Sequence, residues 1–124
     1  MEYIIRKCMK CGAVVRSIHD CNCKDCGIMC CGDVMKKLVP NSEDASFEKH
    51  VPIYEVKGNK IYIHVDHAMD KEHYIEWVSV VYSDKEVVKY FNPGSDNYFS
   101  CDYNSGCVIY SYCNKHGLWK KDVE

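Results

Sequence analysis

Several features that would point to a particular partner are missing from this chain of 124 residues. It has no excess of charge: 16 Lys and Arg face 18 Asp and Glu, a formal charge of -2 that offers no basic footprint for nucleic acid. It has no apolar run near the roughly 20 residues that span a bilayer, so no membrane span is expected. MEYIIRKCMK lacks the apolar core of a secretion signal, which makes a cytoplasmic protein the expectation. Internal repeats and long helical periodicity are missing as well. Cysteine, by contrast, is abundant: the chain has ten. In a reducing compartment that number points to metal ligation rather than to disulfides.

The cysteines divide the chain. Seven lie between Cys8 and Cys31, and the other three are Cys101, Cys107 and Cys113. The first stretch contains little that could build an apolar core, so residues 1–37 read as a small module held together by metal. LVPNSEDAS, with its proline and polar residues, reads as the connection into a second domain over 38–124. That domain reads as β. PIYEV and KIYIHV alternate around Lys57-Gly58-Asn59, YIEWVSVVYS and EVVKYF flank Asp84-Lys85, and NYFSCDY and CVIYSYC flank Asn104-Ser105-Gly106 as a further hairpin. Strands at this spacing predict an all-β sandwich of about seven strands.

In the first module, Cys8-Met9-Lys10-Cys11-Gly12 can turn two sulfurs toward one ion, and the glycine permits the tight backbone of such a knuckle. Two pairs compete to complete a tetrahedral set. Cys23-Lys24-Asp25-Cys26-Gly27 is a second knuckle and gives a zinc-ribbon reading; Cys30-Cys31, followed by Gly32, is the other. Adjacent cysteines make a strained chelate, so spacing favours the ribbon, and the physical reading leaves the choice open.

The second domain holds five of the six histidines. His67 and His73 lie in HAMDKEHYIEW, Cys113 and His116 in CNKHG, and His50 in FEKHVP. Taken singly, each histidine reads as an ordinary surface or core residue, and FEKHVP as a solvated loop. As a set they differ, because Cys113 and His116 stand at metal-knuckle spacing directly after a strong strand. Imidazole nitrogen suits iron, copper, zinc or nickel, and one thiolate adds electron density. His64 sits inside an alternating strand and reads as a sheet-face residue.

EKHVP, HAMDKEHYIEW, CNKHG and CMKCG…CCGD, in that order and over nearly the whole chain, resemble desulfoferrodoxin, the two-iron form of superoxide reductase. The resemblance implies a desulforedoxin-like front module with iron on Cys8, Cys11, Cys30 and Cys31, against the spacing preference. It implies an immunoglobulin-like rear sandwich with a catalytic non-haem iron on His50, His67, His73, His116 and Cys113. Glu48 and Lys49 then stand over an open position on that iron, where Lys49 can steer an anion and Glu48 can cap the oxidised metal. The implied reaction is the one-electron reduction of superoxide to hydrogen peroxide, with electrons from an external donor such as rubredoxin, in a homodimer. The chain departs from the family in a longer loop between Cys11 and Cys30, carrying Cys21, Cys23 and Cys26, which admits a mixed ligand set or zinc there. The segment before His67 is also shortened. Cys101 and Cys107 are expected to be free thiols without a metal role. The alternative is a non-catalytic iron or zinc metalloprotein, structural or electron-carrying, in which the rear site is closed and Glu48 and Lys49 are idle.

Overall fold

A computed structural model describes residues 2–23 and 27–124. The chain separates into two compact units, Met1–Val39 and Pro40–Glu124. This boundary lies two residues beyond the 37/38 division read from the sequence, because the Leu38 N–H still bonds to the Ile5 carbonyl at 2.9 Å.

The first unit is two small antiparallel sheets. Strands β1 (Ile4–Lys7), β2 (Val14–Ser17) and β5 (Lys36–Lys37) form one, in the order β2-β1-β5, and β3 (Met29–Cys30) pairs with β4 (Asp33–Val34) in the other. Its apolar core is thin: among the described residues, Ile4, Ile5, Cys8 and Met35 are its buried hydrophobic side chains. Ion pairing supplements it. The buried Arg6 guanidinium donates to Ser17 Oγ (2.6 Å) and to Asp20 Oδ1 (2.5 Å), and Lys37 reaches Asp20 Oδ2 at 2.9 Å. Lys37, then Arg6, hold the Asp20 carboxyl well below the usual carboxylate range. Asp20 also accepts the Cys21 N–H at 2.8 Å, which fixes where the long loop leaves the sheet.

The second unit is a seven-stranded sandwich. One sheet has the order β10-β7-β6, with β6 (Ile53–Lys57), β7 (Lys60–His64) and β10 (Phe99–Asp102). The other has the order β12-β11-β8-β9, with β8 (Ile75–Val81), β9 (Glu86–Tyr90), β11 (Val108–Cys113) and β12 (Gly117–Asp122). Alternate residues of β7 (Ile61 and Ile63, followed by Val65) meet Val78, Val80 and Ile109 in the core between the sheets. The intervening Tyr62 faces solvent, as the period of two requires.

Two local readings need correction. FEKHVP opens with a single helical turn, α1 (Phe47–His50), in place of a loop, since the Val51 N–H closes onto the Phe47 carbonyl at 2.9 Å. Asn104-Ser105-Gly106 is a crossing between sheets and does not close a hairpin. β10 pairs with β7 (Phe99↔Ile63 to Asp102↔Lys60), whereas β11 lies between β8 and β12. The reversal is instead tied to the chain end: the Gly106 N–H bonds to the Val123 carbonyl and the Val123 N–H to the Cys107 carbonyl, both at 3.0 Å. Turn residues specify a reversal of direction, and the partner strand is chosen by which face is apolar.

Candidate metal centres

In the first unit the thiols of Cys8, Cys11, Cys30 and Cys31 lie within 4.8 Å of one another. Two turns deliver them. The β1–β2 connection is drawn tight by Cys8 N–H to Ala13 O (2.8 Å) and Gly12 N–H to Cys8 O (2.9 Å), with Gly12 at φ +81°. The Cys11 N–H points at Cys8 Sγ from 3.5 Å. The β3–β4 hairpin turns on Cys31 and Gly32, at φ +53° and +82°, the two positive values that a two-residue I′ turn demands. A non-glycine residue there costs roughly 1 kcal/mol, and the result is that adjacent cysteines aim at one point: Cys30 Sγ is 3.9 Å from Cys31 Sγ and 3.7 Å from Cys11 Sγ. This is how the chain evades the awkward chelate that made spacing favour a ribbon. Cys23, which the ribbon requires, is disulfide-bonded; Cys21 is exposed and free; Cys26 lies outside the described residues.

The thiols are unequal. Main-chain N–H groups of Cys11 and Lys10 bring Cys8 down to about 6. Crowding by the Cys8 and Cys11 sulfurs pushes Cys30 up to about 12, and Cys31 is raised, first by Cys11. Four sulfurs this close cannot all be anionic without a cation among them, which is the condition a tetrahedral thiolate-bound metal meets.

In the second unit the donor atoms of His50, His67, His73 and Cys113 fall within 4.8 Å of one another. His116 lies outside that tight group yet beside it, with Nδ1 3.1 Å from His50 Nε2 and 3.9 Å from Cys113 Sγ. The residues arrive from four places: the end of α1, the loop after β7, the turn before β8, and the β11–β12 turn.

Each is fixed locally. His50 donates from Nδ1 to the Ser46 carbonyl (2.7 Å), stacks on buried Trp119 with ring centroids 4.8 Å apart, and its carbonyl accepts from Ser111 Oγ (2.7 Å). His67 donates from Nδ1 to the Ala68 carbonyl at 2.5 Å. Buried Asn97 brackets Val65, two residues earlier, accepting its N–H (3.3 Å) and donating to its carbonyl (2.7 Å). His73 closes a two-way bridge with Asp70. Asn114 then fastens the His73 segment to the β11–β12 turn: its side chain accepts the Tyr74 N–H (3.0 Å) and donates to the Glu72 carbonyl (2.9 Å). A register shift between Tyr112 and Cys113 re-aims the cysteine, and its sulfur accepts the His116 N–H at 3.4 Å.

These restraints prepare imidazoles for a cation. With Nδ1–H committed to a carbonyl, His50 and His67 present lone pairs on Nε2, the arrangement in which histidine binds metal. Among the described residues, His67 Nε2 and His73 Nε2 are buried without a hydrogen-bond partner. Such orphans cost about 1–3 kcal/mol each unless something satisfies them. Burial lowers the pKa of His50, His67 and His73, keeping them neutral and able to ligate. Burial also raises the Cys113 thiol, against the Lys115 and His116 N–H groups. The donor set fits a transition metal of intermediate softness.

Glu48 and Lys49 are exposed on α1, outside the converging donors, and Lys49 Nζ lies 3.6 Å from Asp66 Oδ2. His64 is on β7, stacked on Tyr98 with ring centroids 4.9 Å apart. Sequence reasoning missed Asn97, Asn114, Ser111 and Trp119. Only Asn114 carried a signal, as the polar residue between Cys113 and His116. No helix is long and apolar enough to cross a membrane among the described residues.

A family model described as desulfoferrodoxin matches residues 42–122. A desulfoferrodoxin homolog of Archaeoglobus fulgidus is 37% identical over 120 residues, covering 94% of each chain. The desulfoferrodoxin of Nitratidesulfovibrio vulgaris is 34% identical over 126 residues, covering 98% of each. The crystal structure of the superoxide reductase from Treponema pallidum superposes with a TM-score of 0.72 at 22% identity, over 98% of this chain and 99% of that one, a likeness of fold.

Proposed function

We propose, from the premise that the chain belongs to the desulfoferrodoxin family, that its rear centre holds iron on His50, His67, His73, His116 and Cys113 and reduces superoxide to hydrogen peroxide. The observation that carries the reading is the pair of buried, unpartnered Nε2 atoms of His67 and His73 facing His50, Cys113 and His116. Five donors of this kind would hold an iron ion and still admit a small ligand. Iron held there would supply one electron to superoxide, which with two protons would give hydrogen peroxide.

The chain's own residues do the rest. The Ser46 and Ala68 carbonyls hold two imidazoles in the ligating tautomer. The Lys115 and His116 N–H groups stabilise negative charge on Cys113 Sγ, tuning how strongly the sulfur donates. Lys49, one residue from His50, raises the local concentration of the anionic substrate, an effect of roughly 10-fold or more for a charge beside a site. Glu48 offers an exposed carboxylate that would cap the oxidised metal between turnovers. The front Cys8–Cys11–Cys30–Cys31 set has no position left for substrate; it holds a second iron, or zinc, as a structural or electron-storing centre. Electrons come from an external carrier of the rubredoxin kind, and the protein works as a cytoplasmic homodimer.

The test is to load the chain with ferrous iron, mix it with radiolytically generated superoxide and follow the visible spectrum. A fast bimolecular appearance of thiolate-to-ferric absorption, lost on chelation of the rear metal, is expected. A spectrum that ignores superoxide would favour the non-catalytic metalloprotein.

A further inference from the structure

Lys49 is not a free cation. Its Nζ lies 3.6 Å from a carboxylate oxygen of Asp66, with both side chains more than half exposed. Asp66 is itself next to His67, so the pair joins the two segments that deliver His50 and His67. A depression of about 530 Å³ adjoins them, lined by Phe47, Glu48, Val51, Asp66 and Lys121 among others, and by neither Lys49 nor the donor side chains. Two carboxylates, Glu48 and Asp66, and the Lys49 ammonium that Asp66 partly neutralises thus stand on the segments that deliver His50 and His67, and a second ammonium, Lys121, lines the depression.

We infer that Asp66 is a rate-limiting restraint on anion capture: it competes with the incoming anion for Lys49 and sets how much of the lysine's charge is available. This deepens the reading of the rear centre as a superoxide site and rests on it. The magnitude follows from the exposure of the pair. Exposed ion pairs contribute about 0.2–1 kcal/mol, which corresponds to a paired-to-free ratio of roughly 1.4 to 5, so release of Lys49 should raise its free population by about 2- to 6-fold. Asparagine at position 66 keeps the size and the polar surface while removing the charge. Glutamate keeps the charge and adds reach.

The experiment uses the iron-loaded full chain at low ionic strength. It measures the second-order rate with superoxide and, separately, the rate of azide binding, which needs no turnover. Asp66→Asn should speed both by about 2- to 6-fold, with a gain that fades as salt screens the rim over about 10 Å at 0.1 M. Asp66→Glu should stay near the parent. In a Lys49→Ala background the Asp66→Asn gain should be distinctly smaller, because no lysine remains to be released. Equal gains in both backgrounds would mean that Asp66 acts only as a distant charge, and no gain would mean that Lys49 is not restrained; either result overturns the inference. A parent protein inert to superoxide would defeat the proposed function instead, and the azide rates would still decide the role of Asp66.

Discussion

The two donor clusters are built on opposite plans. The front one is all sulfur and partly exposed, held by two hairpin turns on a unit with four buried apolar side chains among its described residues. The rear one mixes imidazole with a single sulfur, with His50 and Cys113 buried and His67 and His73 half-buried on a seven-stranded sandwich, where main-chain carbonyls and asparagine side chains fix the histidine segments. Sulfur needs only a turn to aim it, and four thiolates close a tetrahedron. Imidazole must be set in rotation, tautomer and desolvation, and that takes a packed core. The difference separates a centre that a small module can assemble from one that requires a domain.

The sharpest way to break that contrast is Cys113→Ser. It should abolish the rear charge-transfer band and superoxide reduction while the front spectrum and the fold persist; full activity in this variant would remove the sulfur from the rear ligand set. The front centre has a matching pair of changes. Cys30→Ser should lose the front metal and leave rear turnover intact, whereas Cys23→Ser should keep both metals. The reverse pattern, read by metal content, would restore the ribbon arrangement.

Lys49→Ala comes next, with about a tenfold loss in the bimolecular rate at low salt and an unchanged ferric spectrum, measured by fast mixing. A parental rate would leave Lys49 with no part in capturing the anion.

Acid should also distinguish the regions. His50, His67 and His73 have pKa values below their ordinary 6.5 because burial disfavours the charged ring. The unfolded chain therefore binds more protons, and the metal-free second unit should lose stability as pH falls below about 6.5, by up to about 1.4 kcal/mol per pH unit for each extra proton. Thermal melts between pH 8 and 5 (a range of roughly three units) would show it, and a flat profile would deny the burial of these rings.

The smallest effect is expected from Cys101 and Cys107, which pack against the core as free thiols, Cys101 beneath the Tyr82 hydroxyl at 3.1 Å. Replacing both by alanine should cost about 1 kcal/mol of stability per site and leave the iron content unchanged.

Much of this was legible in the chain. Alternation in KIYIHV and YIEWVSVVYS marks the strands, and the rear cluster is what the family resemblance carried by EKHVP, HAMDKEHYIEW and CNKHG implies. What stayed hidden depends on long-range pairing. β12 begins inside CNKHG, and its buried Leu118 and Trp119 do not alternate in exposure, so the seventh strand carried no period of two. The crossing at Asn104–Gly106 was indistinguishable from a hairpin because both reversals use the same residues. Spacing misjudged Cys30-Cys31, since the positive φ at Cys31 that reconciles adjacent sulfurs is a property of the I′ turn and has no signature in the cysteines themselves. Asn97 and Trp119 act on ligands 30 and 69 positions away in the chain.

The central claim is that the rear centre reduces superoxide without oxidising a second one, and product stoichiometry tests it most directly. Reduced protein mixed with a known dose of superoxide should yield one hydrogen peroxide for each superoxide consumed and no dioxygen. Dioxygen at half the superoxide consumed would make the centre a dismutase and contradict the account.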